Sequence, residues 1–433
     1  MNEHSKRAGM GAGLGSGSPA GWAGVAGSVG ARDVLTEVIR RGAVDLLAAA
    51  VQAEAAAWID DHAYVVDADG RRQVVRNGSM PEREIVTGIG PVKVKQPRVH
   101  DRRTPEEGRE VFTSAILPPY LRKTRSMEDL IPWLYLKGVS SGDFSEALAA
   151  LIGIDTPGFS ATTVTRLKES WEVEYKNWST RDLTGKNYVY VWADGIHFNI
   201  RLAEQDRQCI LVLMGATAEG KKELIAVADG FRESEQCWME VLLDVKCRGL
   251  TMDPRLAIGD GALGFWKALP QVFATTRTQR CWVHKAANVL GKLPKRLHGQ
   301  AKDLLHQIWM ADTRAAAEKS FDLFIQTYTP KYASAVECLA KDRAALLAFY
   351  DVPAEHWPHL RTTNPIESVF ATVRLRTQKT KGAGSRVACL SMVFKLAQSA
   401  SKKWRGLNGS ELIPHVIAGV VFVDGINPER TAA

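Results

Sequence analysis

The alternation of apolar and polar positions changes character along the chain, and each change predicts a different kind of element. Residues 32–62 carry apolar side chains at helical spacing and many alanines, which predicts one or two amphipathic helices. Residues 63–103 hold short alternating runs between Asn-Gly and Gly-Ile-Gly-Pro turns, which predict a small β-ribbon. Residues 124–180 contain three helical segments with short connections, which predict either a helix-turn-helix-like DNA-binding domain or an ordinary helical bundle.

Continuous apolar runs begin at residue 186 and predict a sheet. "YVYVWAD" is predicted as a buried strand that ends at Asp194, and "HFNIRL" is a candidate to pair with it. "CILVLMGATAEGKKELIAVADGF" predicts two more strands, "RLAIGDG" a fourth that ends at Asp260, and 277–283 a short fifth. Because helices alternate with strands after an antiparallel meander, we expect an α/β fold with a mixed sheet covered by helices.

The remaining segments divide the chain into parts. Residues 186–284 are interpreted as the first part of a catalytic core, 285–360 as an all-helical insertion, and 361–405 as the final basic helix of the core. The Gly-rich residues 1–31 and the segment 406–433 are interpreted as tails.

Cysteine spacing and hydropathy bear on location. The six cysteines are irregularly spaced, which does not indicate a disulfide framework and favours a reducing, cytosolic setting. No uninterrupted apolar run approaches the roughly 18 residues of a membrane span. The N-terminus lacks the apolar stretch of a signal peptide. We therefore expect a cytoplasmic protein without a membrane partner.

Two aspartates stand at equivalent places in the predicted sheet. Asp194 and Asp260 each follow an apolar strand and each precede a glycine. A single Asp before Gly is usually a turn residue, but two at the carboxyl ends of neighbouring strands would face one crevice. Like charges at close range disfavour joint ionisation unless a cation lies between them, and Mg²⁺ or Mn²⁺ prefers such oxygen ligands.

The stretch "TTNPIES" offers a third carboxylate. Asn364 suits an N-cap and Pro365 the first helical position, so Glu367 completes a capping-box-like pattern. The helix dipole favours an ionised carboxylate in the first turn, and metal binding requires that same form. Glu367 is therefore a candidate metal ligand as well as a capping residue.

The charge of the chain is concentrated in two segments. The whole chain is +8, whereas residues 361–405 hold ten Lys or Arg and one acid, Glu367, for a local +9. Residues 71–103 hold nine basic and three acidic residues, a local +6. Such segments favour contact with phosphates, although a solvated basic surface is the alternative. The predicted DNA-binding side chains of the basic helix are Arg374, two turns after Glu367, together with Arg376, Lys379 and Lys381.

The tetrapeptide "CWVH" brings two potential zinc ligands, Cys281 and His284, close together. A structural zinc site needs four ligands, and no second pair follows at a recognisable spacing, so packing or support of the active site is the alternative. Trp282 is a candidate to stack on a base, although a core position is more typical of tryptophan. Lys285 is a candidate phosphate contact, with a solvated helix face as the alternative.

Several blocks together resemble the Mutator-like family of bacterial insertion-sequence transposases. The blocks are "VWADGIHF", "AIGDGALGFW", "QRCWVHKAANVLGKLP" and "RTTNPIESVFATVRLRTQKTKGAGSR", with similar segments upstream, so that the resemblance covers about residues 70–405. It implies a ribonuclease-H-like core in which a helical insertion separates the second Asp from the Glu. It further implies an Asp-Asp-Glu triad of Asp194, Asp260 and Glu367, with Arg374 as the basic residue after the Glu. Cys281 and His284 belong to the same pattern, and with Asn364 they are candidates for active-site support.

The resemblance implies metal-dependent cleavage and strand transfer of DNA. Two Mg²⁺ or Mn²⁺ ions held by the three carboxylates would activate a water and then a 3′-hydroxyl. The expected partners are double-stranded DNA with terminal inverted repeats, target DNA, and further copies of the chain in a dimer or higher oligomer. In a bacterial cytoplasm the protein would join the nucleoid when bound. A nuclease of the same fold and a non-catalytic DNA-binding regulator are the alternatives.

Overall fold

The computed structural model describes residues 34–139, 146–147, 161–199, 207–230, 232–261, 263–379 and 385–428. These residues form two compact units, the first ending at Glu128 and the second beginning at Asp129.

The first unit combines one long helix with four short strands. Helix α1 (Val34–Asp61) is followed by β1 (Val74–Ser79), β2 (Arg83–Thr87), β3 (Gly90–Val94) and β4 (Pro97–Asp101). Strand β1 pairs with β4 and β2 pairs with β3, both antiparallel, so the predicted β-ribbon consists of two two-stranded sheets. Val51 of α1 packs with Ile85, Val92 and Leu117 in a small core, which explains why the strands form beside this helix.

The sequence predicts one or two helices over residues 32–62, and the structure has a single continuous helix, α1. By length and composition alone it is apolar enough to cross a membrane. Its Glu54 carboxylate instead accepts hydrogen bonds from the Ser114 hydroxyl and, at 2.7 Å, from the Ala115 N–H, so that its C-terminal half packs on protein.

The second unit begins within α2 (Arg125–Lys137) and continues through α3 (Ala161–Ser179) into the main sheet. The strands are β5 (Tyr188–Asn199), β6 (Arg207–Thr217), β7 (Lys222–Gly230), β8 (Leu256–Gly259) and β9 (Arg277–Arg280). Helices α4 (Glu235–Cys247) and α5 (Leu263–Val272) lie between the later strands in the chain. The predicted helix-turn-helix joins a short helix at 140–153 to α3, and both that short helix and its connection lie almost entirely outside the described residues.

The five strands form one mixed sheet in the order β7-β6-β5-β8-β9. Strands β5, β6 and β7 are an antiparallel meander, and β8 and β9 add parallel to β5. The predicted mixed α/β sheet is confirmed, while the ribonuclease-H-like assignment stays a prediction. One strand prediction was wrong: "HFN" continues β5 instead of pairing with it, because Gly195 remains extended and pairs with Leu211 of β6.

Helices cover both faces of this sheet. On one face, Val191 and Leu211 pack against Trp238 of α4 and Phe265 of α5. On the other face, a larger core joins Trp192 to the helices that follow β9. These are α6 (Trp282–Leu290), α7 (His298–Trp309), α8 (Arg314–Ala340), α9 (Arg343–Leu346), α10 (Trp357–Leu360), α11 (Asn364–Lys379), α12 (Arg386–Ser401) and α13 (Ile413–Ile417). Residues 285–360, all of which are described, contain helices and no strand, as the sequence predicted.

Two boundaries differ from the prediction. The basic segment 361–405 forms two helices, α11 and α12, instead of one. The described part of the last segment, 406–428, is not a tail: Ile413 and Val416 of α13 and the following Phe422 are buried in the large core. Burial of each of these apolar side chains contributes roughly 1.5–3 kcal/mol.

Candidate active site

Asp194 and Asp260 are brought together by the parallel pairing of β5 with β8. Ala193 is the Cα partner of Gly259, so each aspartate is the next residue on a neighbouring strand. Asp260 follows the end of β8, as predicted. Asp194 does not end its strand, because β5 continues along β6; it lies where β8 stops and the crevice opens. Asp194 is 6% exposed and accepts a hydrogen bond from the Gly195 N–H at 2.9 Å.

Glu367 reaches this region from the first turns of α11. Its Oε1 atom lies 3.3 Å from Nε2 of His284, and its Oε2 atom lies 3.2 Å from a guanidinium nitrogen of Arg374. The seven-residue spacing therefore places Arg374 beside Glu367, as the sequence predicted. His284 is on α6, whose start is tied to both sides of the site: the Cys281 N–H donates to the Gly259 carbonyl and the Trp282 N–H to the Arg361 carbonyl.

The start of α11 differs by one residue from the predicted cap. The Thr363 carbonyl accepts the Glu367 N–H at 3.0 Å, which is the first intrahelical bond, so Thr363 is the N-cap and Asn364 follows it. The prediction of a capping box between Asn364 and Glu367 was wrong, because Glu367 is then one position too late. Thr363 is only 1% exposed, and its N–H and hydroxyl lie 3.3 and 3.4 Å from the Cys281 sulfur.

These interactions give the Cys-x-x-His pattern a structural role. Cys281 holds the start of α11 through Thr363, and His284 lies 3.4 Å from the same hydroxyl while it pairs with Glu367. Cys281 therefore positions Glu367 through the start of α11, and His284 positions it by direct contact with its carboxylate. The sequence predicts active-site support by Cys281 and His284. It gives no indication of the role of Thr363 apart from its position just before the predicted N-cap.

The pKa values of Asp194 and Glu367 are shifted in opposite directions. Burial, and then the neighbouring Asp260 and Glu367, raise the pKa of Asp194 to about 8. Hydrogen bonding to His284, and then the Arg374 charge, lower the pKa of Glu367. Contacts with Cys281 and then Glu367 raise the pKa of His284 to about 11. A buried acid that resists ionisation beside other acids indicates a place where a cation would be bound favourably.

A fourth carboxylate, which the sequence did not indicate, lies on the flank of the site. Glu233 pairs with His197 at 3.2 Å, and burial together with Asp260 raises its pKa. A Cβ on Gly195 would lie 2.5 Å from the Glu233 carboxyl, so the glycine after Asp194 is what admits this side chain. His197, Cys209 and Glu233 form a group whose potential metal-ligand atoms lie within 4.8 Å of one another. It is the one such group among the described residues.

The triad oxygens are spread more widely than this group. Three carboxylates around two ions, which lie about 3.5–4 Å apart in two-metal sites, need not all touch one another. The donor set and the raised pKa of Asp194 therefore fit two oxygen-preferring cations.

Three of the predicted DNA-binding residues are buried in the structure. Trp282 is 1% exposed and donates its indole N–H to the Leu346 carbonyl at 2.9 Å, so it is a core residue and the stacking prediction was wrong. Lys285 is buried in an ion pair with Asp342, which excludes it as a phosphate contact in this conformation. Arg376 is likewise buried, with its guanidinium 4.3 Å from the ring centroid of Tyr135.

Three predicted DNA-binding residues are not excluded in this way. Arg374 is half exposed beside Glu367. The side chain of Lys379 and the whole of Lys381 lie outside what the structure describes.

The sequence of the chain matches a known family. The family model "Transposase, Mutator family" matches residues 27–406, which is most of the chain. The chain belongs to the Mutator family of transposases. The resemblance noted in the sequence is thereby confirmed, and DNA is the expected partner of a member of this family.

Named relatives of this Mutator-family transposase agree. It is 49% identical over 304 residues to the transposase for insertion sequence element IS6120 of Mycolicibacterium smegmatis, covering 70% of this chain and 93% of that one. It is 50% identical over 293 residues to the transposase for element IST2 of Acidithiobacillus ferrooxidans, covering 66% and 96%. The Drosophila P element transposase strand transfer complex is similar at a TM-score of 0.24 and 10% identity over 69% of this chain and 86% of that one, too little to bear on the fold.

Proposed function

We propose that this chain cleaves DNA at the inverted-repeat ends of an insertion sequence and joins those ends to target DNA, using Asp194, Asp260 and Glu367 with two divalent cations. The observation that carries the proposal is the convergence of these acids. Two come from paired strands, and the third comes from a helix that follows a helical insertion. The strand order, with the first strand of the sheet at its centre, supports a ribonuclease-H-like core.

The chain's own residues hold the reactants in this proposal. Asp194 and Asp260 present oxygens at the crevice between β5 and β8. His284 and Arg374 keep Glu367 ionised and oriented, and Arg374 is exposed enough to meet a phosphate as well. Two bound Mg²⁺ or Mn²⁺ ions would supply Lewis-acid stabilisation of the attacking and leaving oxygens in an in-line displacement.

The experiment is a cleavage and joining assay with paired element ends and a target plasmid in Mg²⁺. We expect Asp194→Asn, Asp260→Asn and Glu367→Gln each to abolish cleavage while they leave DNA binding largely intact. Glu411→Gln, a change at an exposed acid of the same unit, is the matched control and is expected to cleave normally. Near-normal cleavage by any triad variant would remove that residue from the proposal.

The products separate the alternatives. Joined ends identify a transposase with strand transfer, cut ends alone identify a nuclease, and bound but uncut DNA identifies a regulator. We favour strand transfer because about 50% identity to named insertion-sequence transposases extends over two thirds of the chain. Joining two ends further implies a dimer or larger assembly on DNA, and action on a bacterial element implies a cytoplasmic, nucleoid-associated protein.

A further inference from the structure

A cavity of about 270 Å³ opens beside the first turns of α11, next to but separate from the three acids. Helix α11 contributes Asn364 and Ser368 to its wall. Its basic side chains come from elsewhere in the chain: Lys222, His359, Lys403 and Arg405. Among the described residues, no carboxylate lines it. Its charge therefore favours an anionic occupant.

The positive charge of this cavity is not neutralised by acids of the protein. Within the part of the chain that the structure describes, Lys222, Lys403 and Arg405 form no ion pair with an acid. Lys222 is half buried, and its amine donates to the Arg405 carbonyl at 2.9 Å. Burial without a compensating carboxylate lowers the pKa of Lys222 to about 8. An anion next to this amine would offset that desolvation.

Several hydrogen-bond donors around the cavity also have no acceptor among the described residues of the protein. The Nε2 atom of His359 accepts the Asn408 N–H at 3.2 Å, which assigns the ring proton to Nδ1. Nδ1 lies 3.2 Å from Nζ of Lys222, so a charged Lys222 and His359 present two donors to each other. The buried indole N–H of Trp404, which also lines the cavity, has no hydrogen-bond partner in the described part of the chain. A phosphate oxygen in the cavity could accept from the Lys222 amine and the His359 Nδ1–H.

We infer that this cavity binds a backbone phosphate of the DNA strand that passes the active site. The inference rests on the proposed function and names a contact surface for it. Asn364 and Ser368 flank Glu367 within one turn of α11, about 5.4 Å of rise. A strand with one phosphate in the cavity would therefore place a neighbouring phosphodiester near Glu367. Lys403 and Arg405 lie at the exposed rim, where a strand can enter.

The salt dependence of DNA binding measures directly how many phosphates the protein neutralises. A short fluorescein-labelled duplex is titrated with the full chain in EDTA between about 50 and 200 mM salt, and the logarithm of affinity is plotted against that of salt. We expect Lys222→Met and the pair Lys403→Ala with Arg405→Ala each to reduce the steepness of this plot by about 0.9 for every phosphate that the variant no longer neutralises. The control changes Lys319→Ala and Lys331→Ala, two exposed lysines of α8, and should leave the slope unchanged.

The possible results are distinct. Slopes equal to wild type in both cavity variants overturn the inference while the proposed function stands. A wild-type chain that binds no duplex overturns the proposed function, and with it this site. Inorganic phosphate that raises the melting temperature of wild type but not of Lys222→Met, without any change in slope, would show a free-anion pocket and would also overturn the assignment to DNA. Because Lys403 and Arg405 are exposed, their variants test the site even if Lys222→Met fails to fold.

Discussion

Asp194 is predicted to make the metal-free protein less stable as the pH rises. Burial and the neighbouring acids move its pKa from 3.8 to about 8 in the folded chain. Between these values the folded chain keeps a proton that the unfolded chain has released, so the free energy of unfolding falls as pH increases. Asp194→Asn removes the ionisable group and with it this pH-dependent destabilisation.

The size of the effect follows from the shift. Over about three pH units below pH 8, at about 1.36 kcal/mol per unit, the upper limit is about 4 kcal/mol. With an entropy of unfolding of about 2.1 cal/mol/K per residue, that upper limit corresponds to a rise of about 4 °C in the melting temperature of Asp194→Asn relative to wild type.

The assay is thermal unfolding of both proteins in EDTA, from about pH 5 to pH 8. The difference in melting temperature should grow with pH, and Mg²⁺ at about 100 times its dissociation constant should restore roughly 2.7 kcal/mol to wild type alone. Glu367→Gln is the control: because the pKa of Glu367 is lowered from its ordinary 4.5, its contribution to stability is complete throughout this range, and the melting temperature of Glu367→Gln should lie below that of wild type by an amount that does not change with pH. Parallel curves for wild type and Asp194→Asn would refute this account of the site.

Three further predictions concern the residues around Glu367 and the insertion. His284→Ala should reduce cleavage about 10–100-fold and weaken Mg²⁺ binding measured by calorimetry, because Glu367 loses the partner that orients it; unchanged metal affinity would contradict this. Trp282→Ala should lower the free energy of unfolding by about 3–5 kcal/mol in denaturant titration, whereas Trp282→Phe should keep normal DNA affinity, contrary to a stacking role. Lys285→Met should lower the free energy of unfolding by about 3–5 kcal/mol in denaturant titration, because the Asp342 carboxylate then keeps only Arg280, at 3.7 Å, as an ion-pair partner; an unchanged free energy would contradict this.

Much of the architecture was predictable from local pattern. Apolar runs and turn residues indicated the meander, the fourth and fifth strands and the strand-free stretch 285–360, because strand and helix periods differ and burial selects one of them. The spacing from Glu367 to Arg374 likewise predicted their proximity, since helix geometry alone fixes it. The sequence blocks around the three acids and the Cys-x-x-His pattern also indicated the family to which the chain belongs.

Element ends were less predictable, because neighbouring chain segments decide them. Gly195 looked like a turn but stays extended against Leu211, so β5 runs past Asp194. The cap of α11 moved to Thr363 because Cys281 and His284, about 80 positions earlier, take its N–H and hydroxyl. Such long-range interactions have no local signature in the sequence.

The sequence by itself determined the identity and chain order of the acids, the helical character of the insertion and the concentration of positive charge. Only the tertiary structure decided which charges can meet a ligand. It buried Lys285 and Arg376, which the sequence marked for DNA, and gathered Lys222, His359 and Arg405 into one cavity. The physical reason is that the free energy of a charge depends on its burial and on partners distant in the chain, and neither is set by the residues next to it.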